Sequence, residues 1–255
     1  MPASYAHYRF GREILPLLPE DARQCIRRFR RMYDMGLHGP DIFFFYNPLM
    51  KTAVGDLSGK FHRMTGAEFF ACACTQANSE AAQAYLYGLL AHYCLDSVSH
   101  PFVRQMVEKG ETTHTLLESE FDRYLMAMDG IQEPDLYDLS PRLKLTRGEC
   151  MTVATFYPGS TGGNVNLSVK NMALMHKFGA NKNRARTEKL LKKLKPSLLE
   201  GLIPAQPLEG YTRMNSELLV RFNRAMKQYA PMLEQLREYM RTGAELGEEF
   251  LPDFG

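Results

Sequence analysis

Through most of this chain, apolar side chains recur every three or four residues, the period of an amphipathic helix. The clearest run is Leu218, Phe222, Met226, Tyr229, Leu233, Leu236 and Met240, which predicts a long C-terminal helix with one buried stripe. Further helices are predicted over about 20–35, over 66–79, over 79–99 and over 114–128. The first of these should stop at Gly36, placed as a C′ residue. Loops are expected at 36–60, 129–148, 157–168 and 200–210, with PGSTGGNVN at 158–166 the most flexible in composition. No stretch alternates as a half-buried strand would. No internal repeat or linker divides the chain, so the pattern predicts an all-α fold with residues 1–255 in a single helical domain.

The segment from Ala81 to Val98 breaks the amphipathic rule, being almost wholly apolar or small on every side. Such a helix is expected at the centre of the molecule. Yet it carries His92 and Asp96, with Arg104 the nearest cationic Lys or Arg. A buried carboxylate without a partner is costly, and a divalent cation is the simplest counter-charge. On a helix His92, Asp96 and His100 step only about 40° apart and rise about 6 Å each. All three can face one way, but His92 and His100 do not easily share one ion on a straight helix, whereas Asp96 can share one with either. Pro101 predicts that the helix is ending at His100. His114 and Glu118, in HTLLE, form a second pair at i, i+4 that can hold one metal from one helix face. Mixed imidazole and carboxylate ligands suit zinc.

Composition narrows the picture. At 255 residues the chain is long enough for a sizeable core, and its net charge of +2 points to neither nucleic acid nor membrane by itself. No apolar run reaches signal-peptide or transmembrane length. The five cysteines form no disulfide framework, and a cytoplasmic location is expected. Cys72 and Cys74 are expected to be buried thiols rather than ligands. His38 and His176 are read as structural or exposed. Phe43 to Tyr46 is read as core wall, with an aromatic rim for a choline or a base as the alternative. Lys177–Lys195 holds eight Lys or Arg against one acid, the pattern of a solvated helix face or of a helix lying on anionic lipid. Neither a glycine-rich phosphate loop nor a Ser-His-Asp set is present.

In order along the chain stand His7 in SYAHYRFG, Asp41 in GPDIFFFY, His62 in GKFHRM, His92 and Asp96 in HYCLD, His100 in SHP, and His114 and Glu118 in HTLLE. In these motifs, over about residues 1–125, the sequence resembles the zinc-dependent phospholipase C family of bacteria, and more distantly the zinc-dependent fungal nucleases. The resemblance implies an all-helical fold with two to three zinc ions at the base of a cleft. It implies one zinc on Asp41, His62, His92 and Asp96, and a second on His100, His114 and Glu118. Asp96 would bridge the first to a third, shared with His7 and the N-terminal amine and carbonyl. It also implies hydrolysis of a phosphodiester by zinc-activated water, with Asp41 able to take the water's proton. Two features depart from the pattern of the secreted enzymes: the gap from Asp96 to His100 is two residues shorter, and no Trp is present to begin the chain. A phospholipid or lipid-like phosphodiester is the expected substrate, with peripheral membrane contact, and nucleic acid ranks behind it. A nuclease or nucleotidase of the same fold and a non-catalytic metal-stabilised binding protein stay open as alternatives, as does the oligomeric state.

Overall fold

The computed structural model describes residues 4–183, 188–189 and 197–255. Its α-helices are α1 (Ser4–Ile14), α2 (Glu20–Arg28), α3 (Arg30–Gly36), α4 (Asp56–His62), α5 (Gly66–Gln76), α6 (Glu80–Glu108), α7 (His114–Met128), α8 (Arg147–Thr155), α9 (Gly162–Gly179), α10 (Ser197–Glu200) and α11 (Thr212–Thr242). Short 3₁₀ segments join them, one of which, Gly39–Phe45, carries Asp41. Among the described residues no strand forms; Thr65 and Asp253 share one isolated antiparallel bridge.

α6 is the axis of the molecule. Leu86, Leu89, Leu90, Ala91, Tyr93 and Cys94 are all buried, on every side of the helix, as its apolar circumference requires. Helices α3 and α11 pack along it, and α1, α2, α5, α7 and α8 complete its surround. The closest approach is to α3. A Cβ on Gly36 would stand 2.3 Å from the Tyr85 carbonyl oxygen, and one on Gly88 would stand 2.2 Å from the Tyr33 carbonyl oxygen. Gly36 is therefore the last residue of α3 and a backbone contact surface, not the left-handed cap expected of it; that role falls to Gly243 after α11, at φ 76°.

Several expectations are corrected. The helix predicted at 20–35 is two helices, broken at Phe29, whose φ of −117° and ψ of 44° are not helical. Helix α6 does not end at His100. It runs on through Pro101 to Glu108, because the apolar side chains of Phe102, Val103 and Met106 beyond the proline are buried and hold that end in place. Much of the predicted loop at 157–168 is the first two turns of α9, started by Thr161, whose hydroxyl accepts from the Asn164 N–H while the Asn164 side chain accepts from the Thr161 N–H. Residues 56–62 likewise fold as α4, which begins within the predicted 36–60 loop and runs past its end. Cys72 is exposed and Cys74 half-buried, so the pair is not the buried set expected. Most of the basic stretch Lys177–Lys195 lies outside the described residues.

Candidate metal centre

Five segments converge on one buried point beside the middle of α6. His7 comes from the second turn of α1, Asp41 from the 3₁₀ turn, His62 from the end of α4, His92, Asp96 and His100 from successive turns of α6, and His114 and Glu118 from the start of α7. All are buried except His114, whose side chain is 44% exposed and so marks the open edge. The 3₁₀ turn can lie this close because Gly39, at φ 48°, has no side chain; a Cβ there would stand 2.3 Å from the His92 ring.

Asp96 is the hub. Its Oδ1 lies 3.1 Å from His7 Nε2 and 3.6 Å from His100 Nε2. Its Oδ2 lies 3.2 Å from His92 Nε2 and 4.0 Å from His62 Nε2. Asp41 Oδ1 is 3.1 Å from His62 Nε2. Glu118 Oε1 is 3.0 Å from His114 Nε2 and 3.4 Å from His100 Nε2. Because His100 follows Asp96 by four residues on an unbroken helix, it reaches both Asp96 and Glu118.

The backbone sets the tautomers of two rings. His92 Nδ1 lies 3.2 Å from the Leu37 carbonyl oxygen, and His62 Nδ1 lies 2.8 Å from that of Ser58. A carbonyl only accepts, so both Nδ1 atoms carry the proton. In the neutral ring Nε2 is then a bare lone pair. His92 Nε2 is buried without a hydrogen-bond partner, and it faces a second lone pair on Asp96. That arrangement is repulsive unless a cation lies between the two atoms.

The electrostatics divide the imidazoles. Burial alone would lower His7, His62 and His100, but the charges of Asp96, Asp41 and Glu118 outweigh it and raise all three, His62 to about 9. His114 is raised chiefly by Glu118. Among the rings of the three sets, only in His92 does burial win, pushing the ring down to about 4 and keeping it neutral. Burial would raise Asp96 and Glu118, yet the surrounding histidines hold both well below the usual carboxylate range.

Three sets of side chains bring ligand atoms within 4.8 Å of one another: His62, His92 and Asp96; His7, Asp41 and His92; and His100, His114 and Glu118. The structure thus gathers all eight residues singled out in the sequence. The N-terminal amine and carbonyl expected beside His7 lie in residues 1–3, outside the described residues. His38 and His176 are buried and belong to none of these sets, although His38 feels the charges of His7 and His92; His176 Nε2 meets Ser4 Oγ at 3.2 Å.

The sequence reading missed three contributors. Asp122 accepts from the N–H groups of Tyr5 at 2.9 Å and Ala6 at 2.8 Å, anchoring α1 just before His7. Its position four residues after Glu118 extends the His114–Glu118 series, a signal that was there to be used. The other two, Phe254 and Gly255, had no local signal. The C-terminal segment folds back against the centre: Phe254 donates its N–H to the His62 carbonyl, and its buried ring lies 6.1 Å from the rings of both His62 and His92. Gly255 is packed so closely that a Cβ on it would overlap His100 Nδ1 at 1.6 Å.

Compared with known sequences and structures, residues 6–155 match the model of the family described as zinc dependent phospholipase C. The match runs through α8, beyond the first half of the chain in which the ligand-type motifs stand. No curated protein and no solved structure matches the chain.

Proposed function

The chain belongs to the zinc-dependent phospholipase C family, and from that membership we propose that it hydrolyses phosphodiesters, with a lipid-like substrate, at the centre around Asp96. The observation that carries the reading is the neutral His92 ring, its Nε2 lone pair buried, unpartnered and turned towards Asp96. Around it, carboxylates and imidazoles meet with no Lys or Arg from the described residues ion-paired to Asp41, Asp96 or Glu118. This donor set fits zinc. His62, His92, Asp41 and Asp96 would hold one ion, and His100, His114 and Glu118 a second. His7 with Asp96 begins a third set.

Zinc bound there would supply Lewis acidity towards phosphoryl oxygens and acidify water at neutral pH. The protein's own groups do the rest. We assign the proton of the attacking water to Asp41, whose carboxylate lies 3.1 Å from His62 Nε2 at the same set. The His62 and His92 rings are aimed by the Ser58 and Leu37 carbonyls and cannot turn without losing those bonds. Phe254 and the aliphatic wall of α6 exclude bulk water from the inner side, and the half-exposed His114 marks the side on which the phosphodiester arrives.

The test is metal analysis joined to a panel of phosphodiesters and phosphomonoesters. The expected result is at least two zinc ions per chain and phosphodiester hydrolysis that chelator abolishes and zinc restores. Retained zinc without turnover would leave a metal-stabilised binding protein. Hydrolysis of single-stranded DNA in preference to phosphatidylcholine would move the chain to the nuclease reading.

A further inference from the structure

Beside the centre, the aromatic run Phe43–Tyr46 splits into two functions. Phe43 and Phe45 are core, whereas Phe44 turns outward, its ring 6.0 Å from that of His62. The loop after it exposes Leu49 and Met50, followed by Lys51. Helix α9 borders this loop: Asn171 Nδ2 donates to the Tyr46 carbonyl oxygen at 3.0 Å. Asn171 stands between Leu167 and Leu174 on that helix, and these two leucines with Lys170 and Lys177 make one exposed stripe at i, i+3, i+7 and i+10. The inner face of the same helix is buried through Val165, Val169 and Met172, so the stripe is not a displaced core face.

Phe44, Leu49, Met50, Leu167 and Leu174 are between 42% and 67% exposed. They make up five of the eleven large apolar side chains exposed among the described residues. Their setting has one sign of charge. Over residues 42–63 and 150–183 the sequence holds a single carboxylate, Asp56, against Lys51, Lys60, Arg63, Lys170, Lys177 and Lys182. Among the described residues no acid pairs with Lys170 or Lys177, while Lys51 stands 3.8 Å from Asp56 and Lys182 stands 3.5 Å from Glu133, outside these spans. Charges that nearly cancel over the whole chain are segregated here. Apolar tips interspersed with unpaired lysines are what a surface needs to enter the headgroup layer of an anionic membrane: the lysines draw it down and the apolar tips are buried on contact.

We propose that this face, made by the 44–51 loop and the outer stripe of α9, docks the protein on an anionic lipid surface. The proposal rests on the phosphodiesterase reading for its purpose, because the face adjoins His62 through Phe44 and would bring the centre to the membrane plane. Its binding chemistry is independent of turnover.

The experiment is co-sedimentation of the zinc-loaded protein with vesicles of phosphatidylcholine, with and without phosphatidylglycerol, at low and high salt. The wild type should partition onto the anionic vesicles, and less as salt screens the lysines. The paired substitution Leu49→Glu with Met50→Glu, and separately Leu174→Glu, should each weaken partition by about tenfold or more. Val220→Glu, an equally exposed apolar position on α11, should leave it unchanged. All these sites are exposed, so unchanged melting temperatures are expected, and hydrolysis of a monomeric short-chain phosphodiester should stay at the wild-type rate. A wild type that ignores anionic vesicles, or loop and α9 variants that partition as well as the wild type, would overturn the docking face. Equal weakening by Val220→Glu would overturn its location. No hydrolysis of the monomeric phosphodiester by the wild type would overturn the functional reading while leaving the vesicle result to stand by itself.

Discussion

At the scale of single residues, the centre works through one carboxylate that four imidazoles approach. Asp96 accepts from or faces His7, His62, His92 and His100, so its negative charge is shared more widely than that of any neighbour. Asp96→Asn keeps the shape and removes the charge. It is expected to lose at least one zinc per chain and to lower kcat/KM by about a hundredfold or more, which metal analysis and kinetics on the same preparation will show; full zinc and full activity would remove Asp96 from the hub. Protonation gives a second prediction. In the metal-free protein His62 holds its proton more tightly when folded, so its contribution is complete below its ordinary value of 6.5 and is lost as pH rises through about 9. His92 has the opposite sign: its folded value near 4 means that stability is lost as pH falls from 6.5 towards 4. Between pH 4 and 6.5 the gain from His92 is opposed by Asp122, whose raised carboxyl loses stability as pH rises, so the clear expectation in chelator is a melting temperature that falls as pH rises from 6.5 through 9; a steady rise through pH 9 would contradict the His62–Asp41 interaction. His92, Asp96, His100, His114 and Glu118 were legible in the sequence, because i, i+4 spacing on a helix is enough to predict a shared face, while His7, Asp41 and His62 were legible only through the family resemblance. The tautomers were not, since Leu37 and Ser58 present carbonyls that no residue type announces.

At the scale of elements, the centre depends on how tightly helices approach one another. Gly36 and Gly88 let α3 and α6 touch backbone to backbone, which carries the 3₁₀ turn and Asp41 to His92. Gly36→Ala should force the helices apart, costing about 1–3 kcal/mol in denaturant unfolding, with zinc affinity falling in the same variant. Helix α1 is held by Asp122, which burial pushes up to about 7 even though it accepts two N–H groups. Asp122→Ala strands those N–H groups and should cost about 1–3 kcal/mol; circular dichroism melts will measure it. Element starts with a Thr cap were readable where a polar cap and a periodic run coincided, as at Thr113 before α7. The start of α9 was not read, because Gly162 and Gly163 mimic a loop and the Thr161–Asn164 capping box was the only contrary signal. The end of α6 was misjudged for a different reason. A proline's local penalty is real, but the buried packing of Phe102, Val103 and Met106 on the far side outweighs it.

At the scale of the whole molecule, metal, tail and core are coupled. Binding of zinc to the folded state alone should raise stability by about 2.7 kcal/mol at a hundredfold excess over Kd, so chelator is expected to lower the melting temperature, and an unchanged one would show that the centre binds no metal tightly. The C-terminal segment closes the inner side of the same centre. Tyr93 Oη donates to the carbonyls of Pro252 at 2.9 Å and Glu249 at 3.0 Å, and Arg104 pairs with Asp253 at 3.2 Å. Phe254→Ala should cost about 3–5 kcal/mol and loosen zinc held by His62 and His92, both measurable by urea unfolding with and without metal. The sequence by itself determined the helical class, the central position of α6 and the five ligand-type residues of α6 and α7, because helical period and i, i+4 spacing are local properties written in neighbouring residues; His7, Asp41 and His62 came from the family resemblance. Only the tertiary structure decided that Phe254 and Gly255 would close the centre, and that the segment after Phe44 would meet α9 through the Tyr46 carbonyl and Asn171. Those are contacts between segments as far apart as His62 and Phe254, fixed by how the helices pack around α6, and no local pattern encodes a partner at that distance.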